Sequence, residues 1–265
     1  MATYLDRILA AHRAAAASDA RDVDTLGGLA RSCGPARDFA GALASGQEVA
    51  VIAEVKRASP SKGLLAPDLD AARIAAEYQA GGAAALSVLT DREFFQGSAE
   101  DLKAARAATG LPVLRKDFTV CPADVFDARC MGADAVLLIA AALSPDEMPE
   151  LMGLAASIGL AALVEVHDED EAARAVTAGA RVIGVNQRDL YSFEVDTDRA
   201  VRVARMLPED VVRVAESGIR GGDDVRRLGD AGFDAVLVGE ALVVAEDPAA
   251  AVRQLRSGAR ARAGR

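Results

Sequence analysis

Lysine is scarce in this chain: of 30 Lys and Arg residues only four, Lys56, Lys62, Lys103 and Lys116, are lysine. Arginine stays charged at any working pH, whereas lysine can lose its proton where its surroundings lower its pKa, and so can act as acid, base or nucleophile. Lys103 sits in a stretch with helical spacing and reads as surface charge, but Lys56 and Lys116 each close a short β-like run, VIAEVK (51–56) and PVLRKDF (112–118). Other polar residues close similar runs: Glu54 in the first, Glu165 in LAALVEV, Asn186 in RVIGVN, and Glu216 with Ser217 in VVRVAES. Carboxylates and ammonium groups gathered at one place can exchange protons with a substrate. Strand residues two apart share a face, so Ile52, Glu54 and Lys56 point one way, as do Leu163 and Glu165.

What must position these residues is a repeated unit. Eight apolar or β-branched runs start at residues 51, 84, 112, 134, 160, 181, 211 and 234. Between them lie Ala-, Arg- and Glu-rich segments with helical spacing, such as LDAARIAAEYQAGG. Several end in Gly before the next run, as in AGGAA, MGADA and TAGAR, which is a helix-stop signal. Strand then helix, eight times over, predicts an α/β fold with a parallel sheet, a (β/α)₈ barrel. An open doubly wound sheet would show a glycine-rich G-x-G-x-x-G turn after its first strand; that place reads KRASPSKG. Residues 1–265 are expected to form one barrel domain, with 1–48 a helical N-terminal extension capping a barrel that occupies 49–265. In this architecture the C-terminal strand ends carry the site, and there the charged residues converge.

Two further loops suit a phosphate. ESGI (216–219) and VGEAL (238–242) place Gly218 and Gly239 where backbone N–H groups can approach an anion, at the loops where barrels commonly bind phosphate. Ser59 and Ser61, in ASPSKG, could add hydroxyl donors. Composition narrows the rest. A net charge of −10 argues against a nucleic-acid partner, and no run approaches the roughly 18–20 apolar residues of a membrane span. The start lacks the basic-then-apolar order of a secretory signal, so a cytoplasmic location is expected. Three cysteines (Cys33, Cys121, Cys130) form neither a disulfide framework nor a zinc pattern, the two histidines cannot by themselves build a metal cluster, and no G-x-S-x-G nucleophile motif occurs.

At these residues the sequence resembles the indole-3-glycerol-phosphate synthase family. VIAEVKRASPSKG (51–63) is similar to that family's signature, followed in order by SVLTDREFFQGS, LRKDF, GADAVLLIAAAL, LVEVHD, GVNQRDL, VAESGI and LVGEAL. The resemblance covers all eight strand ends and, more weakly, the N-terminal extension. It implies closure of an indole ring from an anthranilate joined to deoxyribulose 5-phosphate, with loss of carbon dioxide and then water, and no metal or organic cofactor. It implies that Lys116 is the general acid at the sugar ketone, its pKa tuned by a phosphate and other cations. Glu165 would take or relay a proton, with Glu54 assisting, and Lys56 would hold the substrate carboxylate. Lys56 is also a candidate acid in dehydration, and which step belongs to which of Lys56 and Lys116 stays open. Asn186 and Glu216 would hold sugar hydroxyls and the lysines, with Arg188 and Ser217 completing a polar ring. Phe95, Phe118, Leu137 and Leu190 match an apolar slot for the aryl ring, and Ser59, Gly218, Gly239 and the amide of Glu240 match a phosphate site.

The departures are minor. Gln187 stands where many members carry a second asparagine, at a site expected to tolerate variation, and TVCPADVFDAR after LRKDF is divergent. There is no Trp for an aromatic lid. His167, close behind Glu165, is expected to be a loop residue without a catalytic part. Three other readings stay open at this point: a barrel isomerase, a Schiff-base aldolase using a strand-end lysine, and a non-catalytic barrel subunit. An isomerase would be expected to carry an Asp or Cys acid/base pair, and a non-catalytic subunit would have lost part of the polar ring. No obligate protein partner is expected, only a phosphorylated small molecule.

Overall fold

Eight parallel strands close into a barrel in a computed structural model that describes residues 3–46, 48–60, 62–189 and 193–258. They are β1 (Ala50–Val55), β4 (Ala85–Leu89), β5 (Val113–Lys116), β6 (Ala135–Ile139), β7 (Ala161–Val166), β8 (Val182–Asn186), β9 (Val212–Glu216) and β10 (Ala235–Val238). Each neighbours the next, and β1 pairs with both β4 and β10 to close the ring. The predicted (β/α)₈ barrel is therefore the observed fold. Several runs overshoot their strands: β1 stops at Val55, β5 at Lys116, β9 at Glu216 and β10 at Val238, so Lys56, Phe118, Ser217 and Gly239 lie on loops. The loop after β1 carries a feature with no sequence signal, a two-residue hairpin of β2 (Ala58–Ser59) against β3 (Gly63–Leu64).

The main outer helices are α4 (Ala71–Gly81), α5 (Ala99–Ala108), α6 (Pro122–Met131), α7 (Glu147–Ser157), α8 (Glu169–Thr177), α9 (Arg199–Ala204), α10 (Gly222–Asp230) and α12 (Pro248–Ser257), with a single turn α11 (Glu240–Val243) after β10. Their starts are set by side chains that accept otherwise orphaned backbone N–H groups, among them Asp70, Ser98, Asp168 and Asp247. Gly82 and Gly132 stop α4 and α6 at φ 92° and 94°, a left-handed turn glycine adopts without penalty.

Alternation along the strands divides the core in two. Val51, Ala53 and Val55 face the helices, while Ile52, Leu114, Leu163 and Val214 fill the barrel. Each buried Val, Leu or Ile among them contributes about 1.5–3 kcal/mol. Three helices precede the barrel: α1 (Tyr4–Ser18), α2 (Val23–Ser32) and α3 (Phe39–Ala44). Phe39 and Leu43 of α3 join the barrel-interior cluster beside Ile52, Ala85 and Val214 and plug its N-terminal end. Helix α1 crosses the opposite end, where Leu5 and Ile8 are buried. Its Arg13 reaches Glu147 at 2.9 Å and the Ala142 carbonyl at 3.0 Å, and Arg21 just beyond it bonds Asp127 at 2.8 Å. No helix among the described residues is long and apolar enough to cross a membrane.

Candidate active site

A cavity of about 710 Å³ opens at the C-terminal end of the barrel, and its floor is a ring of buried charge. Lys116, the last residue of β5, points its Nζ at Glu165 Oε2 (2.6 Å) on β7 and at Glu216 Oε2 (3.0 Å) on β9. Beside them Lys56 Nζ lies 2.7 Å from Glu54 Oε1, and Ser87 of β4 donates to the other Glu54 oxygen at 3.4 Å. Asn186 Nδ2 donates to Glu165 Oε1 at 3.0 Å. All six residues predicted from the strand ends thus converge. Register explains it: β8 and β9 place Asn186 opposite Glu216, and β7 and β8 place Glu165 opposite Gly184.

Two glycines make the ring possible. A Cβ on Gly184 would stand 2.1 Å from Glu216 Oε1, and one on Gly239 would stand 2.3 Å from Glu54 Oε1 and 2.9 Å from Lys56 Nζ. Gly239 therefore does more than open a loop to an anion, because it also leaves space for the Glu54–Lys56 pair.

The two carboxylates sharing Lys116 are not equivalent. Burial alone would raise both, but Glu165 faces Lys116 and His167 and is held well below the usual carboxylate range. Glu216 has Lys116 as its partner, its Oε1 has no hydrogen-bond partner among the described residues, and burial with the nearby charge of Glu165 and Glu54 pushes it up to about 7. Burial would lower Lys116, yet Glu165, Glu216 and Glu54 outweigh it and hold the ammonium above the ordinary lysine value. This corrects the expectation of cationic neighbours: in the free protein Lys116 is ringed by carboxylates. The ammonium is fully protonated, as an acid must be before it acts.

At one side of the ring lie the two glycine loops. Ser217 (φ 66°) and Gly218 (φ 72°) are successive left-handed residues and turn the chain sharply after β9. Gln187 pins this turn by donating from Nε2 to the Ser217 carbonyl at 2.7 Å. It is 1% exposed, a buried fastening whose bond to the Ser217 carbonyl has no signal in the sequence. Ser59, on β2, and Glu240, at the start of α11, both line the cavity. Lys62, which lies in the VIAEVKRASPSKG stretch but was given no role there, lines it too, 3.4 Å from Glu240. Arg220, also lining, had no sequence signal beyond its nearness to ESGI.

The opposite side is apolar. Phe95 and Phe118 stand 6.3 Å apart, centroid to centroid, and Leu137 of β6 lines the same cavity. Arg188 lines the cavity, but its guanidinium donates to the Phe193 carbonyl at 3.0 Å, bracing its own loop. Leu190 and Ser61 lie outside the described residues. Sequence reading missed a third wall, formed by Tyr4, Leu5 and Ile8 of α1; the spacing of Leu5 and Ile8 marks an apolar helix face without saying what it covers. His12 fastens that wall, its Nε2 lying 2.9 Å from Asp91 Oδ2 and its ring 5.3 Å from that of Phe118.

His12, Asp91 and Asp117 are the one group of three among the described residues with metal-ligand chemistry in reach of one another. Protein donors already engage these carboxylates: Asp91 Oδ1 takes the amides of Phe94 and Phe95, and Asp117 Oδ2 takes Thr90 and Arg115. Their evident work is to shape the aromatic wall. His167 follows β7 on a loop, as expected, but its ring is buried against Glu165 and Glu171, a placement the sequence did not disclose.

A family model described as indole-3-glycerol phosphate synthase matches residues 5–255. The indole-3-glycerol phosphate synthase of Rhodococcus opacus (strain B4) is 51% identical over 255 residues, spanning 96% of this chain and 94% of its own. That of Mycobacterium ulcerans (strain Agy99) is 50% identical over 256 residues with the same coverage. Among solved structures, a thiamine phosphate pyrophosphorylase from Pyrococcus furiosus superposes with a TM-score of 0.60 at 21% identity, covering 80% of this chain and 95% of its own. At that identity it speaks for the barrel alone.

Proposed function

The chain belongs to the indole-3-glycerol phosphate synthase family, and from that membership we propose that its barrel mouth closes the indole ring of 1-(2-carboxyphenylamino)-1-deoxyribulose 5-phosphate. The observation that carries the reading is Lys116 suspended between Glu165 and Glu216 at the cavity floor, one wall apolar and the other lined with glycine turns. The aryl ring lies in the slot of Phe95, Phe118 and Leu137, with Leu190 assigned there by its motif. The phosphate lies against Ser59, Gly218, Gly239 and the amide of Glu240, and Ser217 shapes that turn.

The aryl carbon bearing the carboxylate attacks the sugar ketone, a C–C bond forms, and the ketone oxygen takes a proton from Lys116. The carboxylate then leaves as carbon dioxide, returning its bonding pair to the ring. The new hydroxyl departs as water with uptake of one proton, and a second proton is lost to restore aromaticity. Glu165 receives or relays that proton with Glu54 beside it. Lys56, held by Glu54, binds the substrate carboxylate, while Asn186 and Glu216 keep Lys116 and the sugar hydroxyls in register. Arg188 completes the polar rim. Fixing reactants in this way removes much of the entropic part of the barrier, and general acid catalysis contributes about 10²–10⁴-fold.

The chain works as one unit, with α1–α3 as part of the barrel's closure. Its place is the cytoplasm, where phosphorylated intermediates that cannot diffuse through a membrane are retained. The test is to give purified protein the substrate and follow indole fluorescence and carbon dioxide release. Both signals are expected; neither appearing, from folded protein, would overturn the assignment.

A further inference from the structure

His167 stands two residues after Glu165, on the loop just past the end of β7, and its ring lies beside the Glu165 carboxylate. Its ring is 11% exposed, and each nitrogen faces a carboxylate: Nδ1 is 3.1 Å from Glu171 Oε2, Nε2 is 3.4 Å from Glu165 Oε1. The same Glu171 oxygen accepts the His167 backbone N–H at 2.8 Å. Glu171 is fixed in turn, because its backbone N–H donates to Asp168, the N-cap of α8, at 2.8 Å. The start of α8 therefore sets the angle of the imidazole, and the imidazole presents Nε2 to Glu165. The contact at 3.4 Å is an ion pair, not an aligned hydrogen bond. A buried histidine between two acids could be simple packing. What distinguishes this one is the oxygen it faces, on the carboxylate whose other oxygen binds Lys116 at 2.6 Å.

We infer that His167 is a positioning residue for the reaction: clamped by Glu171, its imidazolium fixes the orientation and charge of Glu165, and through Glu165 the aim of Lys116. The inference rests on the roles proposed above for Glu165 and Lys116. The titratable groups facing the ring are Glu165 from β7 and Glu171 from α8, with Lys116 and Glu216 behind Glu165. Burial would lower the His167 pKa, but these two carboxylates push it up to about 9, so the clamp is charged at neutral pH and is lost in mild alkali.

The test compares His167→Phe, His167→Gln and Glu165→Gln in the indole-forming assay from pH 6 to 10, with thermal melts on each. Partners that orient a site's reacting groups act on the scale of about 10–100-fold. His167→Phe is expected to lose kcat on that scale while KM changes less than about threefold. His167→Gln, which keeps a donor toward Glu165, is expected to recover most of kcat at pH 7 and to lose the alkaline decline of the wild type. If His167→Phe keeps wild-type kcat, or its loss appears equally in KM, the inference is overturned. If the Phe variant does not fold, an alkaline limb unchanged in His167→Gln overturns it instead. Glu165→Gln separates the two levels: wild-type turnover there would remove the role given to Glu165 itself, whereas its loss beside an active His167→Phe would remove only the clamp.

Discussion

Gly184 lies mid-strand in β8, where a side chain is the rule, and replacing it tests whether the charged ring needs its spacing. In Gly184→Ala the added Cβ would stand 2.1 Å from Glu216 Oε1 and 3.2 Å from Leu163 Cδ1. A carbon and an oxygen approach no closer than about 3.3 Å, so the carboxylate must retreat by about 1.2 Å. Lys116 cannot follow, because Glu165 holds it at 2.6 Å, and the 3.0 Å contact to Glu216 is broken. A misplacement of about 1 Å can cost about 100-fold in rate, and overpacking a core costs about 1–3 kcal/mol. The expected result is a roughly 100-fold fall in kcat with KM changed little, and a folded protein with a lowered melting temperature. Steady-state indole fluorescence reads the first and a thermal melt the second. Shortening the partner in Gly184→Ala/Glu216→Asp should return part of what the single change loses, a coupling that a double-mutant cycle measures. Gly184→Ala with kcat within threefold of wild type would refute the spacing argument.

Three other perturbations follow from named contacts. His12→Leu removes the 2.9 Å tie between α1 and Asp91 and should loosen the wall of Tyr4, Leu5 and Ile8, raising KM several-fold with kcat nearly kept; an unchanged KM would count against α1 as a wall. Gln187→Ala frees the Ser217 carbonyl and should weaken binding of substrate and of inorganic phosphate as a competitor, by about tenfold for about 1.4 kcal/mol. Equal inhibition of both proteins by phosphate would contradict it. Stability carries a third signature, through His167. Its folded pKa is raised from 6.5 to about 9, so its contribution is complete below pH 6.5 and is lost as pH rises through about 9. At 1.36 kcal/mol per unit this is at most about 3 kcal/mol. The stability gap between wild type and His167→Gln, from urea melts, should shrink across that window; a constant gap would mean the charge is not stored there.

The barrel was legible because its signals repeat. Strand runs and helix segments recur eight times, several of them closed by a glycine, and the polar strand ends fall where two-residue periodicity aims them inward. Glu54, Lys56, Lys116, Glu165, Asn186 and Glu216 were readable for that reason: their positions follow from period and register. What escaped notice depends on tertiary approach. Leu5 and Ile8 show an apolar face, but nothing local says that α1 covers the barrel mouth. Gln187 looks replaceable until the turn at Ser217 and Gly218 folds over it. The carboxylate ring around Lys116 also arises from strands far apart in sequence, so its effect on the ammonium could not be read from LRKDF.

The central claim is that the ammonium of Lys116 delivers the proton of ring closure, and Lys116→Arg tests it most directly. Arginine keeps the charge but holds its proton too firmly to give it up, and the carboxylates of Glu165 and Glu216 are well suited to accept its guanidinium. Measured as the rate of indole formation at saturating substrate, Lys116→Arg should fall by about 10²–10⁴-fold while KM stays within a few-fold and the protein remains folded. Turnover within about threefold of wild type would contradict the assignment and pass the proton to another group of the ring.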